Sequence, residues 1–292
     1  DWHHADYFPR GWTGRKTGRP EAGEWSAYLD YQNAQIKELA ENYDIAGFWF
    51  DGWWDQAPEK EDWHKTVDFR IKGIDWDLER SYKMIHDIDS KLLIGNNHHE
   101  LPFEGEDFQM FEKDLPGKNT TGFGGADIGQ LPLETCETIN HSWGFNLQDD
   151  KHKTVPELVR YLVKAAGNNA NFLLNVGPMP NGKVQKEHKE ILKAMGAWLS
   201  IYGETIYGTR QGLAMTDDNI VSTRRGDKLY LHVLEVADNE LRIPDFDLKI
   251  KKAIYFKDKT PVNFRLKKRE LILTIPEDKK EAIDTVIEIT LK

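Results

Sequence analysis

Ile45-Ala-Gly-Phe-Trp-Phe-Asp51 is an apolar run that stops on a carboxylate, set between Asp44 and Gly52 and followed by Trp53, Trp54 and Asp55. Small and strand-favouring residues bounded in this way read as a buried parallel strand whose last residue faces outward. In a βα barrel, that outward end is the face on which active sites are built. Asp51 among Trp and Phe rings therefore has the character of a catalytic carboxylate beside a sugar-stacking wall. The CH faces of sugars pack on aromatic rings, while carboxylates act at the acetal oxygens and carbon. A plainer reading fits the same residues: an acidic strand terminus that caps the next turn.

Working outward, helix and strand signals alternate through the first two hundred residues. Tyr28 to Tyr43 carries Leu29, Ala34, Ile36, Leu39 and Ala40 at helical spacing and leads directly into the strand at Ile45. Trp76 to Ile88 is a second amphipathic helix. It feeds Lys91-Leu-Leu-Ile-Gly-Asn-Asn97, and Asp107-Phe-Gln-Met-Phe-Glu112 is the next short strand. Pro156 to Ala166 reads as a helix with proline in its first turn, delivering the strand Asn171-Phe-Leu-Leu-Asn-Val-Gly-Pro178. Residues 183 to 202 form a long helix closed by Gly203.

After about Gln211 the pattern changes. Leu229-Tyr-Leu-His-Val-Leu234, Ala253-Ile-Tyr-Phe256, Glu270-Leu-Ile-Leu-Thr-Ile275 and Thr285-Val-Ile-Glu-Ile-Thr-Leu291 are short β runs between charged turns, with no helix among them. The expected organisation is α/β: a (β/α) TIM-like barrel portion over 1–210, then an antiparallel β-sandwich over 211–292. A full eight-unit barrel takes about 250 residues. Only four or five units fit here, so the chain is expected to begin mid-barrel with N-terminal strands missing, Asp1-Trp-His-His-Ala-Asp-Tyr7 being the loop after an absent strand.

Composition narrows the function classes. The 292 residues are 39% hydrophobic, enough to bury a large core. A net charge of −10, ten Trp and no Lys/Arg-rich patch argue against nucleic acid. The single cysteine, Cys136, rules out an intrachain disulfide framework and any cysteine-based zinc site. No apolar run reaches membrane-spanning length, so no membrane partner is expected. The chain opens without an initiator methionine, so a targeting segment could have been removed.

Four motifs in order resemble the α-L-fucosidases of glycoside hydrolase family 29. They are the Phe48-Trp-Phe-Asp-Gly52 strand end, Leu133-Glu-Thr-Cys-Glu-Thr-Ile-Asn-His-Ser-Trp-Gly-Phe145, Asn171-Phe-Leu-Leu-Asn-Val-Gly-Pro178 and Trp198-Leu-Ser-Ile-Tyr-Gly-Glu-Thr-Ile-Tyr-Gly-Thr-Arg210. The opening Asp1 to Tyr7 is similar to a mid-barrel segment of that family. The resemblance implies a retaining, exo-acting enzyme that removes terminal α-L-fucose by double displacement, with no metal or organic cofactor. Its partner would be a fucosylated oligosaccharide or glycoconjugate, and an upstream barrel segment or chain would complete the barrel. A secreted or periplasmic location is the family's tendency.

By motif, the resemblance makes Asp51 the nucleophile and Glu112 the general acid/base, with Glu100, Glu104 and Glu106 as rivals on the preceding loop. Trp49 matches a position lining the sugar pocket, its plain alternative being a core aromatic. Trp143 matches an aromatic near the fucose methyl group; fucose is a 6-deoxy sugar and calls for an apolar wall there. His98 stands at a strand end where some relatives carry arginine and would reach a ring hydroxyl, with His99 as its rival. The family's other sugar-binding histidines come from early strands and are not transferred to His3 or His4. Two other readings remain: another retaining exo-glycosidase, and a non-catalytic sugar-binding barrel. A metal hydrolase using Asp51, Asp55, His98, His99 and Glu112 lacks any His-x-x-x-His or comparable ligand spacing.

Overall fold

The computed structural model describes residues 4–7, 23–52, 75–122, 127–213, 218–235 and 238–292. Trp53, Trp54 and Asp55 of the opening motif lie outside them. The chain divides into two compact units, Asp1–Glu134 and Thr135–Lys292.

In the first unit, helix α1 (Trp25–Asn42) precedes strand β1 (Gly47–Phe50), and α2 (Leu78–Ile88) precedes β2 (Leu93–Asn96) and β3 (Gln109–Glu112). β1 and β2 are parallel, with Gly47 opposite Leu93 and Phe50 opposite Asn96. β3 follows in the same sense through a parallel bridge between Gly95 and Phe108 and the Asp107 amide on the Ile94 carbonyl (2.7 Å). Ile36, Ala40, Tyr82, Ile85, Leu92 and Ile94 form a cluster that takes in Phe48 and Phe50. Fully buried Ile85 and Ile94 contribute about 1.5–3 kcal/mol each to it.

Because successive strand residues alternate between faces, Phe48 and Phe50 on the helix side leave Trp49 on the other. Trp49 is 40% exposed. The opening strand is parallel as expected but half-buried, since only one of its faces is packed by helices among the described residues. Tyr7 is buried in a second, aromatic cluster with Trp25, Tyr28 and Trp76, so it packs on the start of α1.

The second unit takes in most of β4 (Leu133–Thr138), then α3 (Val155–Gly167), β5 (Ala170–Asn175) and α4 (Lys186–Tyr202). α3 begins with a reciprocal capping box between Thr154 and Glu157, and proline sits in its first turn. Thereafter, among the described residues, the regular elements are strands apart from two short 3-10 turns, Gly203–Thr205 and Glu277–Lys279. β6 (Arg210–Gln211), β7 (Ile220–Arg225), β8 (Lys228–Val233), β10 (Ile250–Tyr255) and β13 (Thr285–Leu291) form an antiparallel sheet in the order β10-β13-β8-β7-β6. β9 (Glu240–Ile243), β11 (Asn263–Lys267) and β12 (Glu270–Thr274) form a second, ordered β11-β12-β9. Leu229, Leu231, Val233, Ile287 and Ile289 of the first sheet meet Leu241, Ile243, Leu271 and Leu273 of the second.

The five-stranded sheet is covered on its other face too. Val221, Tyr230, Phe256 and Val286 pack against Leu158, Val159 and Val163 of α3 and Met195, Trp198 and Tyr202 of α4. Arg160 reaches from α3 to the carbonyls of Leu234, Ala282 and Ile283, and the Tyr202 hydroxyl donates to Glu281. This packing explains why compactness divides the chain after Glu134 whereas the change of pattern fell at 210/211. The helices α3 and α4 share a core with the sheet that follows them.

His188 on α4 is buried, its ring 5.2 Å from that of His152, and neither of its nitrogens has a hydrogen-bond partner among the described residues. Burial and the neighbouring imidazole hold its pKa below the ordinary histidine value. The unfolded chain therefore takes up this proton first, and stability is lost as pH falls through the ordinary histidine range. Acidification from about pH 7.5 to about pH 5 is expected to lower Tm, and His188→Leu to flatten that decline. Thermal melts across this range check it; an unchanged slope in the variant would identify a different titrating group.

Candidate active site

Three consecutive parallel strands bring the expected carboxylates to one edge. Asp51 follows the last residue of β1, Asn97 follows β2, and Glu112 ends β3. The Asn97 amide continues the ladder by donating to the Phe50 carbonyl (2.8 Å), which sets Asn97 alongside Asp51. Its side-chain nitrogen lies 2.9 Å from Glu112 Oε2 and 3.4 Å from Asp51 Oδ1. One buried amide thus touches both carboxylates.

The turn after Asp51 requires glycine. Gly52 has φ +61, and a Cβ there would come within 2.6 Å of the Asn97 carbonyl oxygen. The Gly52 N–H donates to Asn96 Oδ1 (2.9 Å), whose Nδ2 donates to the Tyr82 hydroxyl (2.8 Å). Tyr82 in turn donates to Glu106 Oε1 (3.0 Å). Burial, and after it the negative charge of Glu106, push the Tyr82 phenol well above its usual range, so it remains a donor. This chain of bonds ties the backbone after Asp51 to α2.

Glu106 is committed to the interior. It is buried and accepts from Tyr82, from the Phe103 amide and from His98. Glu104 is exposed in the turn before it, and Glu100 supplies backbone contacts to His98 and Gln109. Glu112 is half-buried at the end of β3.

His98 needs correction. Its Nδ1 accepts the Glu100 amide (3.1 Å), so Nε2 carries the proton and donates to Glu106 (3.0 Å), while the ring stacks on Phe103 at 4.3 Å. Both nitrogens are engaged in the interior, and the imidazole braces the loop that carries Glu100 and Glu106. His99 lies beside Glu112, with Nε2 3.5 Å from Glu112 Oε2. Burial, and after it the neighbouring His98, lower the His99 pKa, with Asp51 opposing. The backbone at His99 is left-handed, φ +60, a conformation uncommon outside glycine.

Trp49, on the same strand face as Asp51, donates its indole N–H to Glu134 Oε1 (2.9 Å). Burial raises the Glu134 carboxyl above the ordinary range, partly offset by this bond. The sequence analysis did not single out Asn97 or Glu134, and it carried His99 only as the rival to His98. The polar run Asn96-Asn-His-His99, placed directly after an apolar strand, was the available signal for Asn97.

Trp143 belongs to the second unit. It is 37% exposed, and its carbonyl accepts from Asn175 at the end of β5 (2.8 Å). Gly177 lies so close to this segment that a Cβ would meet Gly144 and Phe145 backbone atoms at 2.6 Å. Asp149 fastens the other end by accepting the His141 and Ser142 amides. Among the described residues no group of three or more His, Cys, Asp or Glu could hold a metal ion, and no helix is long and apolar enough to cross a membrane.

Two carboxylates at neighbouring strand ends are an arrangement that glycoside hydrolases use. The α-L-fucosidase family profile matches residues 1–204, and the chain belongs to that family. The α-L-fucosidase isoenzyme 1 of Paenibacillus thiaminolyticus is 29% identical, with a TM-score of 0.77 over 100% of this chain and 70% of that one. The Thermotoga maritima α-fucosidase, solved with a mechanism-based inhibitor, is 25% identical with a TM-score of 0.68 over 94% of this chain and 62% of that one. An α-L-fucosidase of Branchiostoma floridae is 32% identical over 108 residues, 35% of this chain and 24% of that protein. The matched stretch thus spans about a quarter of this curated relative.

Proposed function

We propose that the protein is a retaining, exo-acting α-L-fucosidase, with Asp51 as nucleophile and Glu112 as general acid/base, on part of a (β/α) barrel. The observation that carries this reading is the shared contact of both carboxylates with Asn97. Two distances from one nitrogen keep the facing oxygens within about 6 Å, compatible with the roughly 5–5.5 Å between carboxyl groups in retaining glycosidases.

In the first step Asp51 attacks the anomeric carbon, the bond to the leaving oxygen breaks, and Glu112 gives that oxygen its proton. A fucosyl ester on Asp51 results. In the second, ionised Glu112 takes a proton from water as the water oxygen attacks the same carbon and releases Asp51. Fucosylated oligosaccharides or glycoconjugates are the proposed substrates. Release of fluorophore from a 4-methylumbelliferyl α-L-fucoside by the purified protein, produced with whatever sequence precedes or follows this chain in its gene, tests the activity. No release across pH 4 to 9 at high protein concentration would reject it.

Trp49 and Trp143 are the proposed sugar-facing aromatics, and His99 rather than His98 the histidine available to a ring hydroxyl. Trp49→Ala is expected to raise KM for aryl fucoside roughly tenfold, about 1.4 kcal/mol of lost contact, with kcat changed less. Steady-state kinetics check this; an unchanged KM would return Trp49 to a packing role.

A further inference from the structure

Asn97 is placed as the residue that couples the two carboxylates. Its backbone is fixed by the Phe50 carbonyl, its side chain is buried, and its Nδ2 reaches Glu112 at 2.9 Å and Asp51 at 3.4 Å. The orientation of the amide follows from charge. Turned over, it would present oxygen to two carboxylates. As it stands, both N–H bonds are available to acceptors, while Oδ1 is buried with no hydrogen-bond partner among the described residues. Leaving an acceptor unpaired is costly, and the position keeps it in exchange for one donor group serving two acids.

We propose that Asn97 is a positioning residue that holds Asp51 and Glu112 at working separation and sets the balance of protonation at Glu112. This rests on the roles assigned to those two carboxylates above. A donor aimed at Glu112 favours its ionised form, and it also intervenes between two like charges. Without it, ionised Glu112 loses a hydrogen bond and faces Asp51 unshielded. Both effects act in one direction: Glu112 holds its proton to higher pH.

Among the described residues, the titratable groups facing Glu112 include Asp51, across the amide, and His99 at 3.5 Å; Lys113 follows it in the chain. The His99 pKa is lowered, so its ring is neutral throughout the alkaline range and adds nothing to a change there. Lys113 is common to every variant compared.

The test uses the full chain with Asn97→Leu, which keeps the volume and removes the donors, and Asn97→Ala, in case Leu disturbs folding. Carbon-13 NMR of labelled glutamate carboxyls, assigned with Glu112→Gln, follows the Glu112 midpoint. The pH profile of kcat/KM toward an aryl fucoside follows the kinetic consequence. Expected is a rise of about one pH unit in the Glu112 midpoint, matched by the same displacement of the alkaline limb. A purely structural asparagine would lower Tm and leave both unmoved, and that result overturns the proposal. If the NMR midpoint moves but the wild-type protein releases no fucose, the fucosidase reading fails and the coupling stands. If the wild-type protein is active and neither variant moves Glu112, the coupling fails and the fucosidase reading stands.

Discussion

Asp51→Gly is expected to lower kcat by several orders of magnitude while leaving the fold intact. The side chain is exposed at its strand end, and the cluster beneath it is built from Phe48, Phe50 and the two helices, so its removal opens no core cavity. What is lost is the group that forms the covalent bond, a contribution made in the transition state rather than in substrate binding. KM should therefore change little beside kcat. Azide supplies the chemical signature. Entering the vacated space, it attacks an α-fucoside from the face opposite the leaving group and gives the β-fucosyl azide. Near-normal turnover by the variant without azide would remove Asp51 from the nucleophile's role.

Glu112→Ala should show a different pattern, governed by the leaving group. Natural fucosyl-oligosaccharides depart as poor alkoxides and need the proton; an activated aryl fucoside does not. Hydrolysis of the former should fall by about 10²–10⁴-fold, while the fucosyl-enzyme still forms from the latter and accumulates. Azide then intercepts an intermediate made by intact Asp51 and yields the α-fucosyl azide, the opposite anomer from the Asp51 variant. The acid must be protonated for the first step, so the alkaline limb of kcat/KM should vanish in Glu112→Ala. Persistence of that limb, or the same leaving-group dependence in Glu100→Ala or Glu104→Ala, would place the acid elsewhere.

Asp51 was legible because an apolar strand ending on a carboxylate is a local pattern, written in seven consecutive residues. Glu112 came from the likeness of its strand, and its placement depends on β2 and β3 running side by side, which the residue order alone left open. Asn97 was not legible. Its role arises only when two strand ends some fifteen and forty-six residues away converge on one nitrogen. The choice between His98 and His99 turned on a tertiary fact, Glu106 folding back to bind the first of the pair. β4 escaped notice as a strand because Glu134, Thr135, Glu137 and Thr138 are polar. Burial there is paid for by specific bonds, such as Thr135 with Tyr161 and Glu137 with Lys153, which hydrophobic patterning does not register. β9 and β11 are short and charged, and β11 is exposed along its length, so neither carries a strong strand signature.

The five-stranded sheet, covered on one face by the smaller sheet and on the other by α3 and α4, bears on how such a chain can evolve. A tail joined only through a linker can be exchanged or lost without consequence for what precedes it. Here Tyr230, Phe256 and Val286 fit against Leu158, Val163 and Trp198, so variation in the tail is answerable to the helices, and the reverse. Substitutions on the two sides should accumulate as compensating pairs. Grafting the strands of a distant relative after Arg210 should fail to fold unless the facing positions of α3 and α4 travel with them. The sheet's descent is bound to that of the helices, whatever its own surface goes on to bind.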